Sequence, residues 1–194
     1  MLEISDIFPN SAVDVVKRAG GSKIEIYDDE DTILYNKGKN RKYNYVLSFR
    51  LPLKNLEDNV ASMREKLGEE YQLFVMESTV EGKTDIGYGI VKSDFYFEPL
   101  WSLATNGCIH DLQTEDIVEK LSLWKEKYDI ELKAVNFDWI YITFNKLPEN
   151  MLEFAKEVIE FCPDMDAEGR GIDVAAPYVA EVISEKRDLY LWWD

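Results

Sequence analysis

The segment DMDAEGRGID, which begins at Asp164, carries the side chains best spaced for metal binding. Its acidic residues alternate ahead of a glycine, as Asp164, Asp166, Glu168 and Gly169. Oxygen ligands at positions 1, 3 and 5 with a glycine at position 6 are typical of a calcium loop. The second half of that pattern fails, because Ala175 stands where position 12 requires a bidentate glutamate. The segment is a candidate for a divalent cation, and an acidic loop that caps a helix is the interpretation we favour.

A second candidate combines this segment with Asp194, which supplies a side-chain carboxylate and the terminal carboxylate of the sequence. Paired with Asp164, it would suit acid/base catalysis or Mg²⁺ binding. This hypothesis predicts a carboxylate-dependent metal hydrolase that uses Asp164, Asp166 and Asp194. A capped helix at Asp164 and a solvated chain end at Asp194 explain the same residues more simply.

Nucleophilic catalysis depends on one short stretch, NGCIHD, which ends at Asp111. It contains the only histidine, His110, two positions after Cys108. A Cys–His pair needs the two side chains within hydrogen-bond reach and a third group that orients the imidazole, here Asp111 or Asn106. A packed cysteine and a surface histidine are the interpretation we favour, and we assign no catalytic residue.

The charge balance restricts the partners of the protein. The 194 residues contain 38 Asp and Glu against 22 Lys and Arg, a formal net charge of −16. Nucleic acids and anionic membrane surfaces are disfavoured, because binding to phosphate requires a basic surface. A basic partner protein would be attracted and steered electrostatically. Solubility alone is the alternative explanation for the charge.

Aromatic residues offer a second route to binding. The chain has five tryptophans and 11 tyrosines, and aromatic side chains dominate interface hot spots. Trp101 and Trp192 are the candidates for an exposed binding surface, whereas a place in the core is the alternative for each.

The hydropathy and the cysteine content of the chain indicate its cellular compartment. No apolar run approaches the roughly 18 residues that cross a bilayer, and the first residues, MLEISDIFPN, do not have the pattern of a secretory signal. Cys108 and Cys162 are expected as thiols in a reducing compartment. These features favour the cytoplasm.

The elements that position these residues follow from periodicity. YNYVLSFRL alternates apolar and polar residues, which predicts a half-buried strand. The apolar spacing from Leu56 to Leu67 predicts a helix that Asn55 caps and Gly68 ends. A strand, a charged turn at DDED (28–31), a second strand at TILYN and a charged loop at KGKNRK (37–42) are expected in this order.

The second half has sharper patterns. Thr114 can cap a helix, and IELKA followed by WIYITF predicts an antiparallel hairpin. Pro148 opens a further helix that Pro163 stops, and residues 177–186 predict another. LYLWWD predicts a final strand with both faces substantially covered, since it is apolar or aromatic on each face.

These elements predict an α+β fold with a mostly antiparallel sheet packed against three to four helices. We expect a strand-rich half with one main helix at residues 1–93 and an α+β domain at residues 94–194, or one continuous domain. A packed seam is expected over residues 92–111.

Several marks in the second half resemble a known family. They are TNG at 105–107, Trp124, LPENMLEFAKEVIEFCPD at 147–164, Gly169 and LYLWWD at 189–194. From about residue 94 to residue 194 the chain is similar to a bacterial family known as domain of unknown function 4253. The resemblance implies a bacterial-type cytoplasmic protein and brings no catalytic residues. The family has an isoleucine-valine-aspartate-glutamine-glycine run where this chain has MDAEG, so it assigns no role to Asp166 or Glu168.

The sequence predicts a non-enzymatic, acidic, cytoplasmic interaction protein. A concrete version is an immunity-type or regulatory protein that binds and neutralises a basic partner. The metal hydrolase is the alternative, and a small-ligand domain with an apolar pocket near the seam is a third hypothesis.

Overall fold

A computed structural model describes residues 3–77 and 83–193 of the chain. The chain forms two compact units, residues 1–104 and residues 105–194. The domain division expected from the sequence, at residues 93 and 94, stays a prediction. Both units combine helices with antiparallel strand pairs, so the predicted α+β class is confirmed. Within the described residues, no helix is both long enough and apolar enough to span a membrane.

The first unit is a four-stranded sheet with five helices among its described residues. Its strands lie in the order β1-β2-β4-β3, and each neighbouring pair is antiparallel. Its elements in chain order are α1 (Ile4–Ile7), α2 (Asn10–Arg18), β1 (Ser22–Tyr27), α3 (Glu30–Gly38), β2 (Val46–Pro52), α4 (Leu56–Leu67), β3 (Tyr71–Val75), β4 (Asp85–Lys92) and α5 (Glu98–Ser102).

The predicted central strand and helix of this unit are confirmed. In β2, Leu47, Phe49 and Leu51 are buried in the core, as the period of two predicted. The helix α4 spans Leu56–Leu67. Asn55 precedes it in a left-handed conformation and makes no side-chain capping bond, so its backbone conformation rather than its amide marks the start.

The predicted strand at TILYN is wrong. Thr32 to Asn36 belong to the helix α3, whereas the strand expected before the charged turn is present as β1. The carboxylate of Asp29 accepts a bond from Thr32 N at 2.8 Å and another from Thr32 Oγ1 at 2.6 Å. This cap satisfies a free helix N–H, and the acidic first turn suits the helix dipole. Together they outweigh the β propensity of the threonine and isoleucine.

The second unit contains a three-stranded antiparallel sheet in the order β5-β6-β7, with three long helices among its described residues. Its elements are α6 (Thr114–Tyr128), β5 (Ile130–Val135), β6 (Trp139–Phe144), α7 (Met151–Phe161), α8 (Ile172–Lys186) and β7 (Asp188–Trp192). Short 3₁₀ turns cover residues 108–110 and 163–165. The described part of the whole chain therefore has eight α-helices, more than the three to four expected.

Most of the predicted elements of this unit are confirmed, but three boundaries differ. The helix predicted to open at Pro148 begins at Met151, after the cap Asn150. Gln113, and not Thr114, caps α6, because its side chain and that of Asp116 form a reciprocal capping box. The helix α8 begins at Ile172, so Pro177 lies inside it instead of opening it. Gly171 adopts a positive φ of 90° just before this helix, a conformation that favours glycine.

The final strand is confirmed, with a difference on one face. Leu189, Leu191 and Trp193 are buried in the core. On the other face Tyr190 is 38% exposed and Trp192 is half-buried. Only one face is therefore covered as fully as the sequence suggested.

A close contact joins the two ends of this unit. A Cβ atom at Gly107 would lie 2.7 Å from the Cδ1 atom of Trp193, which is shorter than real Cβ contacts allow. The indole N–H of Trp193 also donates to the carbonyl of Phe161 at 3.4 Å. The glycine of TNG and a tryptophan of LYLWWD thus form one packing contact.

Candidate functional site

The loop predicted for metal binding is hydrogen-bonded to the backbone just before α8. Asp166 accepts a bond from Arg170 N at 3.0 Å through Oδ1 and a bond from Gly171 N at 2.6 Å through Oδ2. Both of its oxygens are thus occupied by backbone N–H groups. Glu168 forms an ion pair with Arg170 at 2.7 Å on the surface.

The third carboxylate of the loop reaches a different part of the unit. Asp164 Oδ2 lies 2.9 Å from His110 Nε2, and both side chains are about one quarter exposed. The described residues contain no group of three or more His, Cys, Asp or Glu placed to hold a metal ion. Asp194 lies outside the described residues, so its pairing with Asp164 and the metal site stay predictions.

The same contact gives His110 a partner that the sequence did not indicate. Its orienting group is Asp164 and not Asp111 or Asn106, since the Asn106 Oδ1 atom accepts a bond from Cys108 N at 3.1 Å. Cys108 is exposed and Cys162 is buried, and both are free thiols. Burial raises the pKa of Cys162 to about 12, so this thiol stays protonated and is not a nucleophile at neutral pH.

The two tryptophans proposed for binding have different surroundings. Trp101 is only 5% exposed, and the guanidinium of Arg41 lies 4.2 Å from the centre of its ring. A partner could not reach this ring without rearrangement of the first unit. Trp192 lies on β7, half-buried, with its ring stacked on Tyr190 at 5.7 Å.

A stripe of carboxylates follows the solvent side of α7. Its members on the helix are Glu153, Glu157 and Glu160, and Glu149 lies in the bend just before the helix. Steps of three and four residues place side chains on one helix face. Two adjoining clefts, of about 450 Å³ and about 660 Å³, are both lined by Glu157 and Glu160. We call these clefts, with the four glutamates, the acidic groove.

The groove follows from the amphipathic pattern of α7. Phe154, Ala155 and Val158 are buried, so the intervening glutamates point outward. Asn150 caps the helix by accepting a bond from Glu153 N at 3.3 Å. Burial of the apolar stripe therefore determines where the carboxylates lie.

Glu157 is fixed more firmly than the other members. Its Oε1 accepts a bond from the indole N–H of the fully buried Trp124 at 2.9 Å and one from Lys120 Nζ at 3.3 Å. The other lysine at the groove, Lys156, pairs with Asp173 at 2.9 Å, and this contact raises the Lys156 pKa. Both lysines that line the groove are thus already engaged by carboxylates.

Among the described residues, the remaining carboxylates of the groove form no close ion pair, although Glu153 and Glu160 lie near enough to the Lys156 ammonium to help raise its pKa after Asp173. Glu149, Glu153 and Glu160 form no ion pair in the part of the chain that the structure describes. Like charges three and four residues apart destabilise a helix by about 0.2–0.5 kcal/mol per pair. The stripe therefore costs α7 some stability, and a cationic ligand would relieve this repulsion.

The groove belongs to the more acidic part of the chain. Residues 105–194 contain 20 acidic and 9 basic side chains, a difference of −11, whereas residues 1–104 contain 18 and 13, a difference of −5. A family model described as Domain of unknown function (DUF4253) matches residues 88–194, more than half of the chain. The chain belongs to this family.

The DUF4253 match contains the whole acidic groove, the His110–Asp164 pair and both segments that meet at Gly107 and Trp193. No curated protein and no solved structure is significantly similar to the chain.

Sequence reasoning singled out the DMDAEGRGID loop and missed the glutamates of α7. The signal was present in LPENMLEFAKEVIEF, where Glu149, Glu153, Glu157 and Glu160 recur at helical spacing. The apolar residues Phe154, Ala155 and Val158 recur in the same stretch, so one helical wheel shows both the buried face and the acidic face.

Proposed function

We propose that the protein is a non-enzymatic binding module that receives a basic segment of a partner protein in the acidic groove. The observation that carries this proposal is the run of three unpaired carboxylates, Glu149, Glu153 and Glu160, beside the fixed carboxylate of Glu157. Lysine or arginine side chains fit such a groove, because each ammonium or guanidinium group would meet a carboxylate.

The shape of the groove supports the same class of ligand. Leu112, Phe161 and Pro163 line the first cleft together with the carboxylates. The methylene stem of a lysine or arginine can pack on apolar walls while its charged end contacts oxygen atoms. The net charge of −11 on residues 105–194 would also steer a basic partner toward this unit. Nucleic acid and anionic membranes remain disfavoured by the same charge.

We place this function in the cytoplasm of a bacterium, in an immunity-type or regulatory role. The support for the compartment is the pair of free thiols, Cys108 and Cys162, which suits a reducing environment. The support for the role is the groove itself, which would cover a cationic surface of the partner.

The experiment uses His110 as the reporter, because it is the only histidine and lines the first cleft. An acetylated arginine–glycine octapeptide is titrated into the full chain, and the ¹H–¹³C signal of the imidazole is followed by NMR. An analogue with citrulline in place of arginine keeps the shape and removes the charge. We expect the arginine peptide to shift the signal, with an affinity that falls as salt increases.

Two double variants test the place of binding. Glu157→Gln with Glu160→Gln removes two groove charges, and Glu181→Gln with Glu185→Gln removes two exposed charges from α8. Two lost ion pairs of about 0.5 kcal/mol each raise Kd about fivefold, so we expect this change in the groove variant only. Equal binding of the citrulline peptide, or equal losses in both variants, would contradict the proposal.

A further inference from the structure

Four aromatic side chains lie on one face of the strands β6 and β7, and three of their rings, those of Trp139, Tyr190 and Trp192, are in contact. In the register of β6 and β7, Trp139 is opposite Trp192 and Tyr141 is opposite Tyr190. The ring centres of Trp139 and Tyr190 are 5.5 Å apart, and those of Tyr190 and Trp192 are 5.7 Å apart. We call these four residues the aromatic face.

The aromatic face contrasts with the opposite side of the same strands. Ile140, Ile142 and Leu191 have no exposed surface, whereas Tyr190 is 38% exposed and its three neighbours are half-buried. A contiguous aromatic surface in contact with water is uncommon in the absence of a ligand or partner. Large aromatic side chains are also the residues that contribute most to binding at interfaces.

The hydroxyl of Tyr141 fixes a carboxylate at the edge of this face. It donates to Asp188 Oδ2 at 2.5 Å. Burial and the Asp188 carboxylate raise the pKa of Tyr141 to about 12, so the phenol remains a neutral donor. A negative charge thus lies next to rings whose faces are themselves electron-rich.

Three kinds of ligand stack on aromatic rings: nucleobases, sugars and organic cations. Nucleic acid is disfavoured because residues 105–194 carry a net charge of −11. That charge and Asp188 both favour a cation, whereas a neutral sugar gains nothing from either. Charge complementarity therefore selects lysine and arginine side chains, whose attraction to ring faces is strongest for tryptophan.

The spacing of the rings favours an extended peptide. Side chains on one side of an extended segment repeat every two residues, a distance of about 6.6 Å. The ring separations of 5.5 and 5.7 Å come close to this repeat. Successive arginine or lysine side chains of one segment can thus stack on neighbouring rings.

We propose that the aromatic face, Trp139, Tyr141, Tyr190 and Trp192, binds arginine or lysine side chains of an extended basic segment by cation–π stacking. The choice of a protein partner rests on the proposed function, but the aromatic face is a second site with its own contacts. Binding at the face and binding in the acidic groove are detected by different NMR signals, so one proposal can fail while the other holds.

The test follows the indole N–H signals of Trp139 and Trp192 by ¹H–¹⁵N NMR, each assigned from a Trp→Phe variant. The full chain is titrated with the arginine–glycine octapeptide, its citrulline analogue and cellohexaose. We expect the arginine peptide alone to shift both indole signals. If the citrulline peptide or cellohexaose shifts them equally, or if the arginine peptide leaves them unchanged, the proposal is wrong.

Paired variants at one position separate the ring from the hydroxyl. Tyr190→Leu removes the ring and should raise Kd at this face about threefold to fivefold. Tyr190→Phe keeps the ring and should bind as the unchanged protein does. Equal affinity of the Leu and Phe variants would overturn the proposal, and unchanged signals from the methyl groups of the buried Ile140 and Leu191 verify that both fold.

The two sites give distinguishable outcomes. Shifts at His110 without shifts at the indoles support the acidic groove and overturn the aromatic face. Shifts at the indoles without shifts at His110 support the aromatic face and overturn the acidic groove. The Glu157→Gln and Glu160→Gln double variant should retain the indole shifts, because it leaves the aromatic face intact.

Discussion

The Nε2 atom of His110 lies 2.9 Å from the Oδ2 atom of Asp164, although 54 positions separate the two residues in the chain. This contact links the 3₁₀ turn after TNG to the 3₁₀ turn that follows α7. It therefore ties the first cleft of the acidic groove to the loop that leads into α8.

This pair should contribute modestly to stability, because both side chains are about one quarter exposed. We expect His110→Ala and Asp164→Ala each to lower the free energy of unfolding, with a coupling of about 0.5–1 kcal/mol in a double-mutant cycle. Urea unfolding of the four proteins measures the coupling. Additive effects would show that the contact contributes nothing in solution.

Removal of charge from the acidic groove should stabilise the protein in the absence of a partner. Glu160 lies three residues after Glu157 in the last turn of α7, where both the like charge and the negative end of the helix dipole disfavour its carboxylate. We expect Glu160→Gln to raise the free energy of unfolding by about 0.3–1 kcal/mol at low salt and by less at high salt. Urea unfolding at the two salt concentrations tests this, with Glu153→Gln as the control that should not gain stability, because Glu153 lies in the first turn of the same helix, where the dipole favours a carboxylate. A destabilised Glu160→Gln protein would contradict the prediction.

The buried carboxyl of Glu98 should make stability depend on pH. Only 2% of this residue is exposed, and burial raises its pKa despite the Arg41 guanidinium at 3.0 Å. The folded state therefore holds this proton to a higher pH than the unfolded state does. Its contribution to stability is complete below the unfolded carboxyl pKa, falls as pH rises from there to the folded pKa, and is constant above it.

The substitution Glu98→Gln isolates this effect. We expect the stability of the variant relative to the unchanged protein to increase with pH over that window, since glutamine does not titrate. Urea unfolding at a series of pH values between the acid limit and neutrality provides the difference. A difference that does not vary with pH would show that Glu98 titrates alike in the two states.

The two cysteines should differ in reactivity. Cys108 is exposed, whereas Cys162 is buried, donates to Trp192 O at 2.9 Å and has a pKa raised to about 12. Iodoacetamide at pH 8 should modify Cys108 alone in the folded protein and both residues in urea. Mass spectrometry of peptide digests distinguishes the sites. Rapid modification of Cys162 without denaturant would show that the region around β7 opens readily.

Divalent cations should change the melting temperature little if protein groups already occupy the loop carboxylates. Asp164, Asp166 and Glu168 each contact a partner within the second unit. We expect millimolar Ca²⁺ or Mg²⁺ to raise Tm by less than about 1 °C, since specific binding at high occupancy would add several kcal/mol. A larger rise that disappears in Asp166→Ala would favour the metal hydrolase.

Local patterns predicted much of the fold. The alternation in β2 and the apolar spacing of α4 each depend on neighbours within one element, so the sequence was sufficient for them. The stretch TILYN was harder to predict, because its threonine and isoleucine favour a strand. It belongs to α3, whose cap at Asp29 and acidic first turn both favour a helix.

The candidate site was less predictable, since it depends on contacts between distant segments. No spacing rule joins His110 to Asp164 or Trp124 to Glu157, which are brought together by packing of whole elements. The aromatic face could be predicted in part. The alternation of LYLWWD indicated two faces, but only the structure identifies which face helices bury and which rings stay accessible.

The contact between Gly107 and Trp193 determines when this unit can form during synthesis. The ribosome makes residues 105–107 long before residues 188–193, and β7 supplies both the edge of the sheet and the ring that packs on the glycine. The nascent second unit must therefore remain incomplete, with the hydrogen-bonding edge of β6 unpaired, until β7 has emerged. Chaperones that shield such edges would act during this interval, and a ribosome stalled before residue 188 would release a chain prone to aggregate.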